Sequence, residues 1–366
     1  MCKKRIGVVF GGRTPEHEVS LASAANVIEA LDSEKFVPVY IGITKKGEWK
    51  LVGFHSGEVR NRKKKTAEII RSGLWEQHSV PFAPERLKKA TDFILPVIHG
   101  STGEDGRIQG FLEILGMPYA GCGVFASAVA MDKRAFKEVM IQNGLPVCPY
   151  MAFDSDEARK DRKVLKDRIA GFVGFPCFIK PAGMGSSIGI TKVLSEDRLD
   201  AALETAAALD TRIIAEKGLD CRELETAVIG NTAEDTGVSV IGEIVPEGGF
   251  YDYMAKYGSG GSDTARSRLK IPADIEPEDR RIIKKLALKA YRAIDGKGFC
   301  RADFFKDKNT GKIYINEINT IPGFTGNSMF PLLWRASGFT CSQIIERIID
   351  LGYERHYAEN RRNSEF

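Results

Sequence analysis

The stretch FCRADFFKDKNTGKIYINEINTIPG, residues 299–323, constrains this chain more than any other. Aromatic and β-branched residues dominate 299–306 and 312–319, and the polar run Asp307-Lys308-Asn309-Thr310-Gly311 between them is hairpin chemistry. Side chains alternate across a strand, so Arg301 and Asp303 share one face of the first strand, and Glu317 and Asn319 one face of the second. With Phe305 taken opposite Ile315, Asp303 faces Glu317 and Arg301 faces Asn319. Directly opposed side chains sit roughly 5 Å apart. Two carboxylates there repel by roughly 3 kcal/mol at an effective dielectric of ~20. Arg301 offsets part of that, and a hard divalent cation would offset more. Asp303, Glu317 and Asn319 offer only oxygen ligands and too few to cage an ion, the pattern of Mg²⁺ completed by water and nucleotide phosphates. An exposed hairpin with scattered charges is the bland alternative.

A chain of 366 residues has room for two or three domains. Its 43% hydrophobic content, with ordinary glycine, proline and charge, describes a soluble globular protein. Fifty-three basic residues against 49 acidic ones leave a net charge of +4, too even to point to nucleic-acid or membrane partners. The seven cysteines are scattered and never form a Cys-x-x-Cys pair, which reads as reduced thiols in a cytosolic protein, neither a disulfide framework nor a zinc site. Lys3-Lys4-Arg5 precedes only the short run Ile6–Phe10 before Gly11-Gly12, too little for a signal peptide or a membrane span.

Ile6–Phe10 is continuously apolar, as a buried parallel strand requires, and Gly11-Gly12 turns the chain into a helix opened by Pro15-Glu16-His17-Glu18. Strands at 37–43 and 93–98 complete an α/β pattern. The turns at 11–18 and 99–106 follow carboxyl ends of strands, where open parallel sheets bind ligands. The bland alternative is that Glu16 there complements a helix dipole and no more, and that His99 bonds loop backbone. The basic run 62–65 reads as a solvated loop. A second unit begins near Val124. It has a helix over 126–140 with Met131-Asp132-Lys133 in its middle, a charged helix over 156–170, and a glycine–serine loop over 181–189 between two strands. That loop lacks Walker order, yet with Lys180 ahead of it its amides can fold over phosphates; an ordinary hairpin is the alternative. The strand over 222–229 turns Glu223 and Glu225 to one face. The glycine- and tyrosine-rich stretch 248–263 reads either as a closing lid or as a surface loop. Pro277 opens an amphipathic helix to Asp295, and Thr340-x-x-Gln343 is a capping box for a last helix ending near Leu351, with a frayed tail after Arg355.

Lys133, Lys180 with its glycine–serine loop, the segment Glu216–Leu219, Glu223 and the Asp303/Glu317/Asn319 set together resemble the ATP-grasp fold, in which two α+β units clamp ATP between sheets. Three motifs narrow the resemblance to the D-alanine–D-alanine ligase family over nearly the whole chain. They are Gly11-Gly12-x-x-x-Glu16-His17-x-Val19-Ser20, His99-Gly100-x-x-Gly103-Glu104-Asp105-Gly106 and Asn316-Glu317-x-Asn319-Thr320-x-Pro322-Gly323. The resemblance implies an α/β protein of three domains. An N-terminal open parallel α/β domain would span 1–124 and a central ATP-grasp domain 125–218. A C-terminal ATP-grasp domain over 219–366 would carry the metal site and a lid at 248–268.

Roles for individual residues follow from the same resemblance. Lys133 and Lys180 would hold ATP phosphates beneath Gly185-Ser186-Ser187. Glu216, Lys217 and Leu219 would meet adenine, and Glu223 the ribose hydroxyls. Asp303, Glu317 and Asn319 would ligate two Mg²⁺ ions, with Mn²⁺ as a substitute. Glu16 would hold the ammonium of the first D-alanine, with Val19 in the same substrate set and His99 near the carboxylate. Arg301 and the Gly323 amide would face the oxyanion, while Ser328 and Lys256 would receive the carboxylate of the second D-alanine near Met329. Glu16, Ser186 and Tyr257 would tie the lid to the substrate. The implied activity is ATP-dependent ligation of two D-alanines through an acyl phosphate, for peptidoglycan precursors, by a cytoplasmic homodimer. A D-alanine–D-lactate ligase or another ATP-grasp carboxylate–amine ligase is the alternative; relatives that form the depsipeptide carry His where this chain has Tyr257. Asp220-Cys221-Arg222 stands where some relatives have glycine, so the turn there is expected to differ.

Overall fold

The computed structural model describes residues 3–53, 59–246 and 267–363, which build three sheets. The first holds β1 (Lys4–Gly11), β2 (Phe36–Ile43), β3 (Trp49–Val52), β4 (Ser79–Pro81) and β5 (Phe93–Val97) in the order β4-β3-β2-β1-β5. β1 runs parallel to β2 and β5, as its unbroken apolar run leads one to expect. β3 and β4 extend the edge antiparallel. Alternation along β1 serves two cores. Ile6, Val8 and Phe10 pack with Leu21 and Ile28 of the helix His17–Ala30, whereas Val9 packs with Ile94, Ile108 and Leu112 on the other face.

The second sheet is antiparallel and comprises β6 (Tyr150–Asp154), β7 (Cys177–Pro181), β8 (Thr191–Val193) and β9 (Arg212–Lys217), in the order β6-β9-β7-β8. Helices Arg162–Phe172 and Leu199–Ala207 cover it. The third holds β10 (Cys221–Ile229), β11 (Gly237–Pro246), β12 (Ser267–Lys270), β13 (Phe299–Asp307) and β14 (Ile313–Asn319), in the order β12-β11-β10-β13-β14. Leu224 and Val228 of β10 point into a core shared with helix Pro277–Ala293 and with Ala126, Phe136 and Met140. Ala227 and Ile229, on the opposite face, join the core of the first sheet. Glu223 and Glu225 continue that second face past the end of the apolar core, so one strand face runs from packed interior to open cleft.

Five readings of the sequence need correction, the simplest being that the charged helix over 156–170 is two helices, Ser155–Lys160 and Arg162–Phe172, parted at Asp161. Arg301 does lie opposite Asn319 and Asp303 opposite Glu317, but Phe305 pairs with Tyr314 and not with Ile315. A bulge at Asn316 absorbs the difference and so preserves the carboxylate pair. The helix over 126–140 is two helices, Val124–Met131 and Lys133–Gln142. Asp132 breaks it with extended backbone, and its carboxylate accepts from the amides of Arg134 and Ala135 to cap the second. The basic run 62–65 lies in a helix, Val59–Arg71, in which Thr66, Ala67 and Ile70 bury one face while Lys64 and Lys65 are exposed. The last helix does not end near Leu351. Its capping box forms as expected, with the Gln343 amide on Thr340 Oγ1 at 3.2 Å and the Thr340 amide on Gln343 Oε1 at 2.9 Å. It then runs from Cys341 to Asn363, pinned by buried Arg355, which donates to Gly121 O and lies 3.9 Å over the Tyr119 ring.

Candidate active site

Where the three sheets meet, two cavities of about 1010 and 620 Å³ adjoin, both bordered by Lys133, Ser186, Glu225 and Glu317. The larger is lined from the N-terminal side by Glu16, Val19 and His99, and from the C-terminal side by Arg301, Asn319, Gly323, Ser328 and Met329. The smaller is lined by Lys180, Ser187, Glu216, Lys217, Leu219, Glu223 and Asp303. Every candidate residue within the described part of the chain therefore borders one cleft. Tyr257, Lys256 and residues 247–266 of the expected lid lie outside the described residues.

Glu16 occupies the N-cap position of helix His17–Ala30, yet its side chain makes no capping hydrogen bond. Its carboxylate turns into the cleft and accepts the Ser186 hydroxyl from the glycine–serine loop. The helix-dipole alternative is thus insufficient for Glu16. Gly100, at φ +71°, leaves room for this carboxylate: a Cβ there would come 2.3 Å from Glu16 Oε2. Ser186 and Ser187 themselves hold left-handed backbone at φ 49° and 60°, a strain that ordinary hairpin turns relieve with glycine. Asp210 accepts the Gly183 amide at 2.7 Å and anchors the base of the loop, while Lys133 Nζ donates to Met184 O at 2.5 Å.

His99 is buried, and both ring nitrogens have partners. Nε2 lies 2.9 Å from Ser23 Oγ, and Nδ1 lies 3.0 Å from Ile321 O and 3.6 Å from Glu104 Oε1. Burial pulls its pKa down, but Glu104, with help from Glu16 and the Ile321 carbonyl, outweighs that, and the net displacement is upward. Ser23 Oγ also accepts the Phe324 amide at 3.1 Å, so this histidine links the first helix to the segment carrying Gly323. Gly323 and Ser328 are neighbours; a Cβ on Gly323 would stand 2.7 Å from Ser328 Oγ.

On the hairpin, Arg301 Nε donates to Asp303 Oδ1 at 2.7 Å and Nη2 to Asp303 Oδ2 at 2.6 Å, while Nε also lies 2.8 Å from Glu225 Oε2. Burial works against the guanidinium charge, and Asp303 and Glu225 hold its pKa well above the ordinary arginine range. Among the described residues no three His, Cys, Asp or Glu side chains cluster tightly enough to hold a metal by themselves. Asp303, Glu317 and Asn319 instead present two carboxylates and a carboxamide toward the cleft, an incomplete all-oxygen set that fits an ion finishing its shell with phosphate and water. The Asn319 carboxamide oxygen is oriented by the Ile321 amide at 3.0 Å.

Three participants went unassigned at the sequence level. Glu225 pairs with Arg301, Ser23 holds His99, and Lys137 reaches Glu216. Lys137 and Glu225 left traces in the sequence, since Lys137 follows Lys133 by four residues on one helical face and Glu225 shares a strand face with Glu223.

Two α+β sheets that face each other across a cleft, with lysines on one wall and paired carboxylates on the other, define the ATP-grasp class. The family model "D-ala D-ala ligase N-terminus" matches residues 5–122, and "D-ala D-ala ligase C-terminus" matches 139–350. D-alanine–D-alanine ligases of Thermoanaerobacter sp. (strain X514) and Heliobacterium modesticaldum are each 43% identical. The alignments cover 97% and 100% of this chain, and 98% of each relative. Among solved structures, the VanG D-Ala:D-Ser ligase of Enterococcus faecalis superposes with a TM-score of 0.82 at 34% identity, covering 96% of this chain and 100% of that one. The D-alanine–D-alanine ligase of Coxiella burnetii gives 0.81 at 30% identity, over 98% and 96%. The chain belongs to the D-alanine–D-alanine ligase family.

Proposed function

We propose that this protein joins two D-alanines into D-alanyl-D-alanine at the expense of ATP, through an acyl phosphate, and so supplies a peptidoglycan precursor. The observation that carries the reading is the bond between Ser186 on the glycine–serine loop and Glu16 on the first helix, which makes the phosphate-side loop and the amino-acid pocket one site. On this reading residues 1–124 bring the first D-alanine, 125–218 the nucleotide wall, and 219–366 the acidic wall. Glu16 binds the D-alanine ammonium. Lys133 and Lys180 screen the repulsion between carboxylate and triphosphate, so that the carboxylate oxygen takes the terminal phosphoryl group and ADP leaves. Asp303, Glu317 and Asn319 would hold Mg²⁺, which when bound neutralises phosphate charge. The free amine of the second D-alanine, its carboxylate on Ser328, attacks the acyl carbon. Arg301 and the Gly323 amide face the oxyanion, and phosphate departs as the amide forms. Enclosure by the loop keeps water from the acyl phosphate.

We assign the reaction to a cytoplasmic homodimer on the family resemblance; no helix among the described residues is long and apolar enough to cross a membrane. Mass spectrometry after incubation with ATP, Mg²⁺ and D-alanine should show the dipeptide and ADP in equal amounts. ADP without dipeptide would refute the ligation. Glu16→Gln should raise the D-alanine requirement by about 10- to 150-fold, the loss of a charge-assisted contact of roughly 1.5–3 kcal/mol, and leave ATP binding nearly unchanged. Equal losses in both titrations would remove Glu16 from the amino-acid pocket.

A further inference from the structure

We infer that Lys137, which borders neither cavity, is the positioning residue that fixes the Glu216 carboxylate for selection of the nucleotide base. The inference rests on the reading of the smaller cavity as the ATP site. Helix Lys133–Gln142 carries Lys133 into the cleft and, one turn on, Lys137 into the interior, where its exposure is 1%. Its ammonium lies 2.5 Å from Glu216 Oε2 and 5.5 Å above the Tyr150 ring. Lys180 takes the other oxygen, Oε1, at 2.7 Å. Each carboxylate oxygen is thus held by one lysine, and the plane of the group is fixed at the edge of the cavity. Burial would raise the Glu216 pKa, but Lys137 and Lys180 overcome it and bring it to about 2. A carboxylate held ionised is an acceptor only. Facing a purine, it favours an edge that presents an amino group, as adenine does, over one that presents a carbonyl, as guanine does.

Lys180 cannot perform this alone. With Lys137 gone, Glu216 keeps one partner, rotates toward it and draws the Lys180 ammonium away from the phosphates. Nucleotide affinity and base discrimination should both fall, while the amino-acid pocket, built by other elements, is untouched.

The test is Lys137→Met, which keeps length and apolar volume. We expect ADP and ATP binding, measured by calorimetry, to weaken about tenfold, the equivalent of one charged hydrogen bond. The ATP-to-GTP ratio of kcat/KM should shrink by a similar ~10-fold, with the D-alanine KM within about twofold of the parent. If the variant binds nucleotide and discriminates as the parent does, or if it loses D-alanine and ATP affinity equally, the inference is wrong. A parent protein that binds no adenine nucleotide would instead overturn the ligase reading itself. Should Lys137→Met fail to fold, Lys137→Met/Glu216→Gln removes the carboxylate together with the lysine that positions it. It should then match Glu216→Gln alone in nucleotide affinity and base preference, and any further loss of base preference beyond that single variant would overturn the inference.

Discussion

Glu317→Gln is expected to lower Mg²⁺-dependent turnover by about 10³-fold, the size of a lost charge-stabilising group at a transferring centre, with the unfolding midpoint almost unmoved. The substitution keeps shape, removes the charge and exchanges one acceptor oxygen for an amide donor. Glu317 lies opposite Asp303 across the hairpin and borders both cavities, so of the three candidate metal ligands it is the one placed between amino acid and nucleotide. In the free protein its charge acts on two cations. Burial opposes ionisation of Lys180, and Glu216 together with Glu317 restores it; Arg301 is treated likewise by Asp303, Glu225 and Glu317. Because Glu317 is the lesser contributor in both cases, its loss should cost little stability. Its cost should appear when triphosphate enters, since one ligand charge for the ion is then missing. Phosphate release measured against Mg²⁺ concentration checks this: raising Mg²⁺ should recover part of the activity. Near-normal turnover at low Mg²⁺ would remove Glu317 from the metal site.

The sequence carried the site further than it carried the fold, and the reason is local. Arg301, Asp303, Glu317 and Asn319 are placed by strand alternation, a rule of period two that survives an error in the turn; here the bulge at Asn316 corrected the register without moving the pair. Glu16 was legible as a helix start, but whether its side chain capped or crossed the cleft depended on Ser186, 170 residues away in sequence. Lys137 and Glu225 could be given a face but no role, for the same cause. Each looks like a surface charge until tertiary structure supplies its partner, Glu216 for one and Arg301 for the other. The helix break at Asp132 was missed because capping residues also occur inside helices, and only the extended backbone there distinguishes the two cases. The edge strands β3 and β4 were unseen because they are short and half-exposed and so carry no clear alternation.

Arg301→Met should be the most damaging single change in the acidic wall, and for two separable reasons. The guanidinium forks onto Asp303 and reaches Glu225, both with side chains about nine-tenths buried. Removing it takes away the guanidinium that both carboxylates contact and that Glu317 also acts on. A buried charge deprived of its partner costs about 3–5 kcal/mol, which should appear as a lowered denaturant midpoint. The second loss is catalytic: without Arg301 the oxyanion keeps only backbone donors, and turnover should fall by about 10²–10³-fold beyond any unfolding. A second substitution separates the two. Arg301→Met/Glu225→Gln removes one of the stranded charges and should regain a measurable part of the stability while turnover stays low. Arg301→Lys should behave differently again, because an ammonium restores charge but not the two-pronged grip on Asp303. Its midpoint should lie between those of the parent and Arg301→Met, with D-alanine-dependent phosphate release still depressed. If the double variant recovers stability and turnover together, Arg301 acts only by neutralising Glu225 and Asp303, and the oxyanion must be stabilised by the amide of Gly323 without it.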